Sequence, residues 1–277
     1  MGCIWLKLSV LLSVYNSNID ILKKVITNVF KQTYKDFELI IVNDGSTHKE
    51  LLEYLDSLQK TNLNIKLINN DKNEGLIYSL NKGIHYASGE YIARIDDDDI
   101  PSLDRFRLQV DFLDQNKEYF AVGGYANIVD EKGIVYSIKK YKTSYESIRK
   151  TAYFRSPISH SLVMYRRKEL LDIGGYKPEY HLAEDYELWL RSLKYGYKLT
   201  NLPIVLGQQK FTESDISKRN KVCRKSALKA KVDNFDKKNF LHALLGVFFA
   251  VVWYLMPDKI IKIIYKKDIK KSFIFGN

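Results

Sequence analysis

Four consecutive carboxylates, Asp96-Asp97-Asp98-Asp99, follow the apolar run Tyr91–Ile95 and are closed off by Ile100-Pro101. Like charges at this density repel, so a fold that keeps them at a strand end sets something cationic beside them. On an extended segment side chains alternate, which places Asp96 and Asp98 on one side. Two carboxylates there suit a hard divalent cation that keeps several waters and also binds phosphate oxygens. The competing reading is a solvated acidic turn in front of a helix, where Asp is favoured in the first turn.

Strand and helix alternate ahead of this cluster. Leu6–Val14 is strand-like and is broken by Tyr15-Asn16-Ser17-Asn18. Apolar residues at helical spacing over Ile19–Phe30 predict a helix. Phe37–Val42 is a near-continuous apolar run, as in a parallel strand buried on both faces. Asn43-Asp44-Gly45-Ser46-Thr47 then reads as a turn capping a helix from about His48 to Lys60. Ile65–Ile68 is a short strand, Leu76–Ala87 a helix and Glu90–Ile95 a fourth strand. This alternation predicts an α/β layer with a mostly parallel sheet flanked by helices. Ligands of such sheets sit outside the carboxyl ends of the strands. Tyr15, Asp44, Asn73 and Asp96 all follow strand ends, which predicts a nucleotide-type crevice. The chain has neither a glycine-rich dinucleotide fingerprint nor a GxxxxGK[ST] phosphate loop.

Beyond Pro101 a helix is expected to about Asn116, with Asp99 as its cap, and then a hairpin of Phe120–Val129 and Ile134–Ile138 around Asp130-Glu131-Lys132-Gly133. The second half is therefore mixed. Ser144–Phe154 reads as helix and Ile158–Tyr165 as strand. Ala183–Tyr195 reads as a helix opened by Glu184-Asp185, with Leu188, Trp189 and Leu193 inward.

These landmarks occur in a recognisable order: SVLLSVYN, LIIVNDGST, NEGLIYSLNKGIHYASGEYIARIDDDD, HSLVMYRRKELLDIGGY and AEDYELWLR. Taken together they resemble the family 2 glycosyltransferases, which have the GT-A fold, and among them the bacterial members that build capsular, O-antigen or exopolysaccharide units. The resemblance runs from Leu8 to about Ser217. It implies a nucleotide-diphosphate sugar donor, often a UDP-sugar, inversion at the anomeric centre and a divalent metal, Mn2+ or Mg2+. It also implies site residues. Tyr15, Asp44 and Asn73 would line the nucleoside pocket, with Asp44 accepting the base N–H. Asp96 and Asp98 match the DxD-type motif, Asp98 as the better metal ligand and Asp96 nearer ribose or metal. Arg94 would pair with these carboxylates. Glu184-Asp185 matches the ED motif, whose Asp is the proposed catalytic base, with Glu184 assisting or structural. His160 is expected either as a hydrogen-bonded core residue or as a substrate contact. Trp189 is either a floor for the acceptor or core. Lys210 would meet the diphosphate, although Thr212 stands where many relatives have His.

Charge divides the chain. Of 44 Lys and Arg and 33 Asp and Glu, the stretch Ile216–Asn277 holds 15 and 4, so the whole net charge of +11 lies in the tail. We therefore expect a neutral catalytic domain over residues 1–215 and a basic, hydrophobic helical segment over 216–277. Phe240–Met256 is apolar over seventeen residues, His242 being the one strongly polar member. That is at the lower edge of the roughly 17–25 residues of a membrane span. Lysines on both sides favour an in-plane or re-entrant anchor over simple spanning; a helix hairpin packed on the body is the other reading. The expected partners are a nucleotide-sugar donor, a lipid-linked saccharide acceptor and an anionic membrane surface, not nucleic acid, at the cytoplasmic face of the cell membrane. Two distant cysteines, Cys3 and Cys223, match no disulfide or metal framework and fit a reducing compartment. Two other readings are a nucleotidyltransferase, which would want a glycine-rich basic loop after Val14, and an inactive nucleotide-sugar-binding partner, which the intact Asp96, Asp98 and Asp185 disfavour.

Overall fold

The computed structural model describes residues 6–210, 219–261 and 263–264. They form two compact units, one of residues 1–123 and 160–176, the other of 124–159 and 177–277.

The first unit carries the parallel sheet. Strands β1 (Leu8–Val14), β2 (Phe37–Asn43), β3 (Ile65–Asn69) and β4 (Tyr91–Ile95) alternate with helices α1 (Ile19–Lys31), α2 (Lys49–Thr61) and α3 (Leu76–Tyr86). β1 pairs in parallel with β2 and β4, and β2 with β3. Every residue of β2 and β4 is buried, Glu38, Asn43 and Arg94 included, so neither strand shows the alternation of a half-exposed strand. β8 (Met164–Arg166) runs antiparallel between β4 and the first part of β6 (Tyr119–Val129), which makes the sheet mixed as expected.

Helix α4 (Arg105–Gln115) begins later than the sequence predicts, because Ile100-Pro101 form a two-residue strand, β5, first. Its cap position is Asp104, not Asp99. The predicted strand over Ile158–Tyr165 is largely a 3₁₀ turn, His160–Leu162, that leads into the short β8, followed by helix α6 (Arg167–Asp172).

In the second unit, the remainder of β6 pairs with β7 (Val135–Lys139) in the expected hairpin. Helix α5 (Tyr145–Thr151) stops short of Phe154, and its cap Ser144 accepts the Ser147 N–H. Helix α7 (Glu184–Lys194) buries Leu188, Trp189 and Leu193 as predicted. The long strand β9 (Lys198–Lys210) carries no clear alternation and was not expected. Helices α8 (Lys221–Asp233) and α9 (Phe240–Leu255) pack on each other through small residues. Ala243, Gly246 and Ala250 are the buried face of α9. A Cβ on Gly246 would lie 2.4 Å from that of Tyr153, so only glycine lets the helix approach this closely.

Candidate functional site

The carboxyl ends of β1, β2, β3 and β4 interlock through loops that the first unit holds rigidly. Asn16 has a left-handed backbone, φ 48°. Its Oδ1 accepts the Thr47 N–H at 2.8 Å, and its own N–H donates to Ser46 Oγ at 2.9 Å. Gly45 is also left-handed, at φ 69°, and a Cβ there would lie 2.2 Å from the Lys72 carbonyl carbon. The loop carrying Asn73 can therefore close over the end of β2 only because residue 45 is glycine.

Asp44 fastens that closure. Its buried carboxylate accepts from Asn70 Nδ2 at 2.8 Å, from the Glu74 N–H at 3.0 Å and from the Gly75 N–H at 2.9 Å. The turn at residues 43–47 is expected to cap the following helix, and Asp44 does not supply that cap. The cap position of α2 is His48, and Asn43 Oδ1 accepts the Ser46 N–H instead. Asn73 is exposed on the loop that Asp44 holds, and Tyr15 is half exposed at the end of β1.

The acidic tip differs from its simplest reading. β4 ends at Ile95 and residues 96–99 turn, with the Asp99 N–H facing Asp96 O at 3.5 Å, so strand alternation does not extend through Asp96 and Asp98. Three of the four carboxylates have separate partners. Arg94 grips Asp96 with both Nη atoms, Nη1 at 2.6 Å from Oδ2. Ser17 donates to Asp97, and Ser161 donates to the buried Asp99. Burial pushes the Asp97 carboxyl up, with the Ser17 hydroxyl opposing. Asp98 is the exposed member of the four.

The required positive charge comes from below. Arg94 is buried, and its proximity to Asp96 offsets the desolvation of its guanidinium. Arg105 is fully buried; its Nη2 donates to Arg94 O at 2.7 Å and Val163 O at 3.2 Å, and its Nε to Gln109 Oε1 at 3.1 Å. Burial pulls Arg105 down while Asp99 acts against it. Sequence reasoning missed Arg105, Ser17 and Ser161. The signal available was Arg105 and Gln109 sitting in register with Phe106, Val110 and Leu113 on the buried face of α4.

His160 lies behind this cluster, its Nε2 2.7 Å from the Tyr176 hydroxyl, which is itself 3.0 Å from that of Tyr165. Burial, and then the Arg94 charge, hold its imidazole well below the ordinary range, so it stays neutral near pH 7.

In the second unit Glu184 and Asp185 open α7, both half-buried in its first turn. Carboxylates are favoured at this end of a helix dipole. Glu187, one turn on, is buried and pairs with Arg191 at 2.8 Å and Asn234 Nδ2 at 3.2 Å, which fixes the helix's rotation. Leu182, just before the pair, has φ 65°, and its carbonyl accepts Cys223 Sγ at 3.3 Å. The Cys223 thiol is pushed up by burial; Arg219 opposes the shift, and the Asp185 and Glu184 charges add to it. Trp189 is fully buried, as a core residue. Lys210 is half-buried at the end of β9, while Phe211 and Thr212 lie outside the described residues.

Residues 9–174 match the glycosyl transferase family 2 profile. The chain belongs to the family 2 glycosyltransferases. It is 31% identical over 274 residues to the UDP-Gal:alpha-D-GlcNAc-diphosphoundecaprenol beta-1,3-galactosyltransferase of Escherichia coli, covering 96% of this chain and 97% of that one. It is 28% identical to the amylovoran biosynthesis glycosyltransferase AmsE of Erwinia amylovora over 95% and 99% of the two chains. The fold is GT-A. Among similar solved structures are S. aureus TarS 1-349 in complex with UDP-GlcNAc, at TM-score 0.66, 18% identity and 87% and 70% coverage, and the mannosyltransferase PcManGT from Pyrobaculum calidifontis in complex with GDP-Man and Mn2+, at TM-score 0.65, 17% identity and 89% and 73% coverage.

The protein side chains can be tested against such a metal. Among the described residues no three metal-ligating side chains cluster. A cation at the acidic tip would take one or two of its carboxylates and complete its shell with water and phosphate oxygens. Asp98 would be the principal ligand, as the one of the four carboxylates that is exposed to solvent.

Proposed function

We propose that this family 2 glycosyltransferase moves a sugar from a nucleotide diphosphate, UDP being the first choice, to a lipid-linked saccharide in surface polysaccharide synthesis, with inversion. The observation that carries the donor half is that Tyr15, Asp44, Asn73 and Asp98 all lie in the loops after β1, β2, β3 and β4, loops tied together by Asn16 to Thr47, Asp44 to Glu74 and Ser17 to Asp97. Asp44 keeps its loop closed for the nucleoside, and Asn73 and Tyr15 line it. A divalent cation at Asp98 would neutralise charge on the diphosphate as it leaves. Lys210 meets the same diphosphate. Asp185 takes the proton of the acceptor hydroxyl as its oxygen bonds to the anomeric carbon and the bond to the diphosphate breaks. The acceptor class is supported by the E. coli relative, whose name specifies a lipid-diphosphate-linked GlcNAc.

The test is a screen of nucleotide sugars with Mn2+ or Mg2+, read by thermal shift and nucleoside diphosphate release. Asp98→Ala should weaken metal and donor binding together, by tenfold or more. Loss of neither would remove the acidic tip from the donor site.

The seat at the membrane is the outer face of α9. Lys237–Leu255 is helical over 19 residues and apolar enough to cross a bilayer. Yet its small residues are packed on protein, and Phe240, Leu241, Leu244, Phe248, Val252 and Leu255 remain exposed, Leu255 by 72%. Lys221, Lys225 and Lys229 form an exposed stripe at four-residue spacing along the neighbouring α8. A large apolar surface rimmed by lysines suits an in-plane seat on anionic lipid. Leu244→Glu with Phe248→Glu should abolish co-sedimentation with phosphatidylglycerol vesicles and leave the melting temperature within a few degrees. Undiminished sedimentation would place the seat elsewhere.

A further inference from the structure

The second unit contains a groove of ≈ 330 Å³ that the donor chemistry does not use. Lys140, Lys142 and Arg155 line it together with Tyr125, Tyr141 and Ser144, and no acidic residue contributes. Among the described residues none of the three cations has a carboxylate partner. Three like charges along one concave wall make a positive potential that attracts an anion.

The wall is held by buried groups. Asn201, almost fully buried, donates through Nδ2 to Lys142 O at 2.8 Å and to Pro157 O at 3.0 Å. The Thr200 hydroxyl donates to Thr143 O. The groove is at the lower end of the roughly 300–1,000 Å³ usual for small-ligand sites. Its Arg and lysines match phosphate oxygens, and its two tyrosines add ring faces with polar ends.

Its position relative to the candidate base is set by α5. Ser144, in the groove, caps one end of that helix. Tyr186, the residue after Asp185, donates from its hydroxyl to Ala152 O at 2.7 Å at the other end. Seven residues at about 1.5 Å each separate the two ends by roughly 10 Å.

We propose that the groove binds the diphosphate stem of the acceptor, leaving the attached saccharide to extend toward Asp185. The assignment of this anion to the acceptor rests on the function proposed above; the anion site itself does not. The probe is farnesyl diphosphate, with inorganic pyrophosphate in parallel, titrated in EDTA against the full-length protein. Lys140→Ala, Lys142→Ala and Arg155→Ala combined should weaken binding of both at least tenfold at unchanged melting temperature. Lys140→Arg with Lys142→Arg should retain it, and Asp98→Ala should not alter it. Equal affinity in wild type and the triple variant would overturn the proposal. So would a triple variant that loses only its attachment to phosphatidylglycerol vesicles, since the cations would then serve lipid headgroups. Because binding is read without turnover, failure of every nucleotide sugar to react would sink the transferase reading and leave the anion site standing.

Discussion

Asp185→Asn should reduce sugar transfer by about 10²–10⁴-fold, the usual contribution of a positioned general base, while donor affinity changes less than twofold. The substitution keeps the shape of the side chain and its place in the first turn of α7, a helix held to its neighbour through Glu187, which accepts from Asn234 Nδ2. What it removes is proton affinity. The acceptor alcohol is a poor nucleophile until its proton leaves, so the loss should fall on kcat and spare donor binding. Glu184→Gln is the internal control: it removes the neighbouring charge on the same turn and should cost far less than tenfold if Glu184 is structural. Calorimetric titration of donor into both variants, beside single-turnover rates, separates the roles. A parallel fall in donor binding and rate for Asp185→Asn would mean that the residue holds substrate and is not the base.

Much of this was legible because the relevant signals are local. Strand ends show in the apolar runs before Tyr15, Asp44 and Asp96, and the inward face of α7 shows in Leu188, Trp189 and Leu193. Two kinds of information were not. Side-chain direction after Ile95 depends on where the strand stops, and the turn of 96–99 sends neighbouring carboxylates to Arg94, Ser17 and Ser161. Ser161 is 62 positions from Asp99 in the chain, and no spacing rule connects them. The turn at residues 43–47 has cap composition, but Asp44 in it turns instead to the long-range Glu74 and Gly75 N–H groups, which no spacing rule announces. Strand β9 escaped because its exposed middle, Pro203 and Ile204, breaks any period and Pro203 reads as a loop.

Arg105→Met should destabilise the protein by about 3–5 kcal/mol, the range for removing one partner of a buried charge arrangement. At roughly 2–4 °C per kcal/mol for a chain of this size, the melting temperature should fall by about 10 °C. Methionine fills much of the same volume but takes from the buried Asp99 one of the two guanidinium charges near it, and removes the Arg105 bonds to Arg94 O and Val163 O, the latter keeping only the Arg94 N–H. Two carbonyls on adjacent segments would lose a side chain that bridges them in addition to the Arg94 N–H to Val163 O bond, directly beneath the tip that carries Asp96 and Asp98. Metal affinity should therefore fall as well, although Arg105 touches neither carboxylate by a hydrogen bond. Adding Asp99→Asn removes the stranded charge and should restore part of the stability, because the Ser161 hydroxyl can still pair with an amide. If the double variant is no more stable than Arg105→Met, the cost lies in the lost carbonyl bonds and not in charge. If Arg105→Met melts within two degrees of wild type, the acidic tip does not depend on this buried cation, and Arg94 alone compensates it.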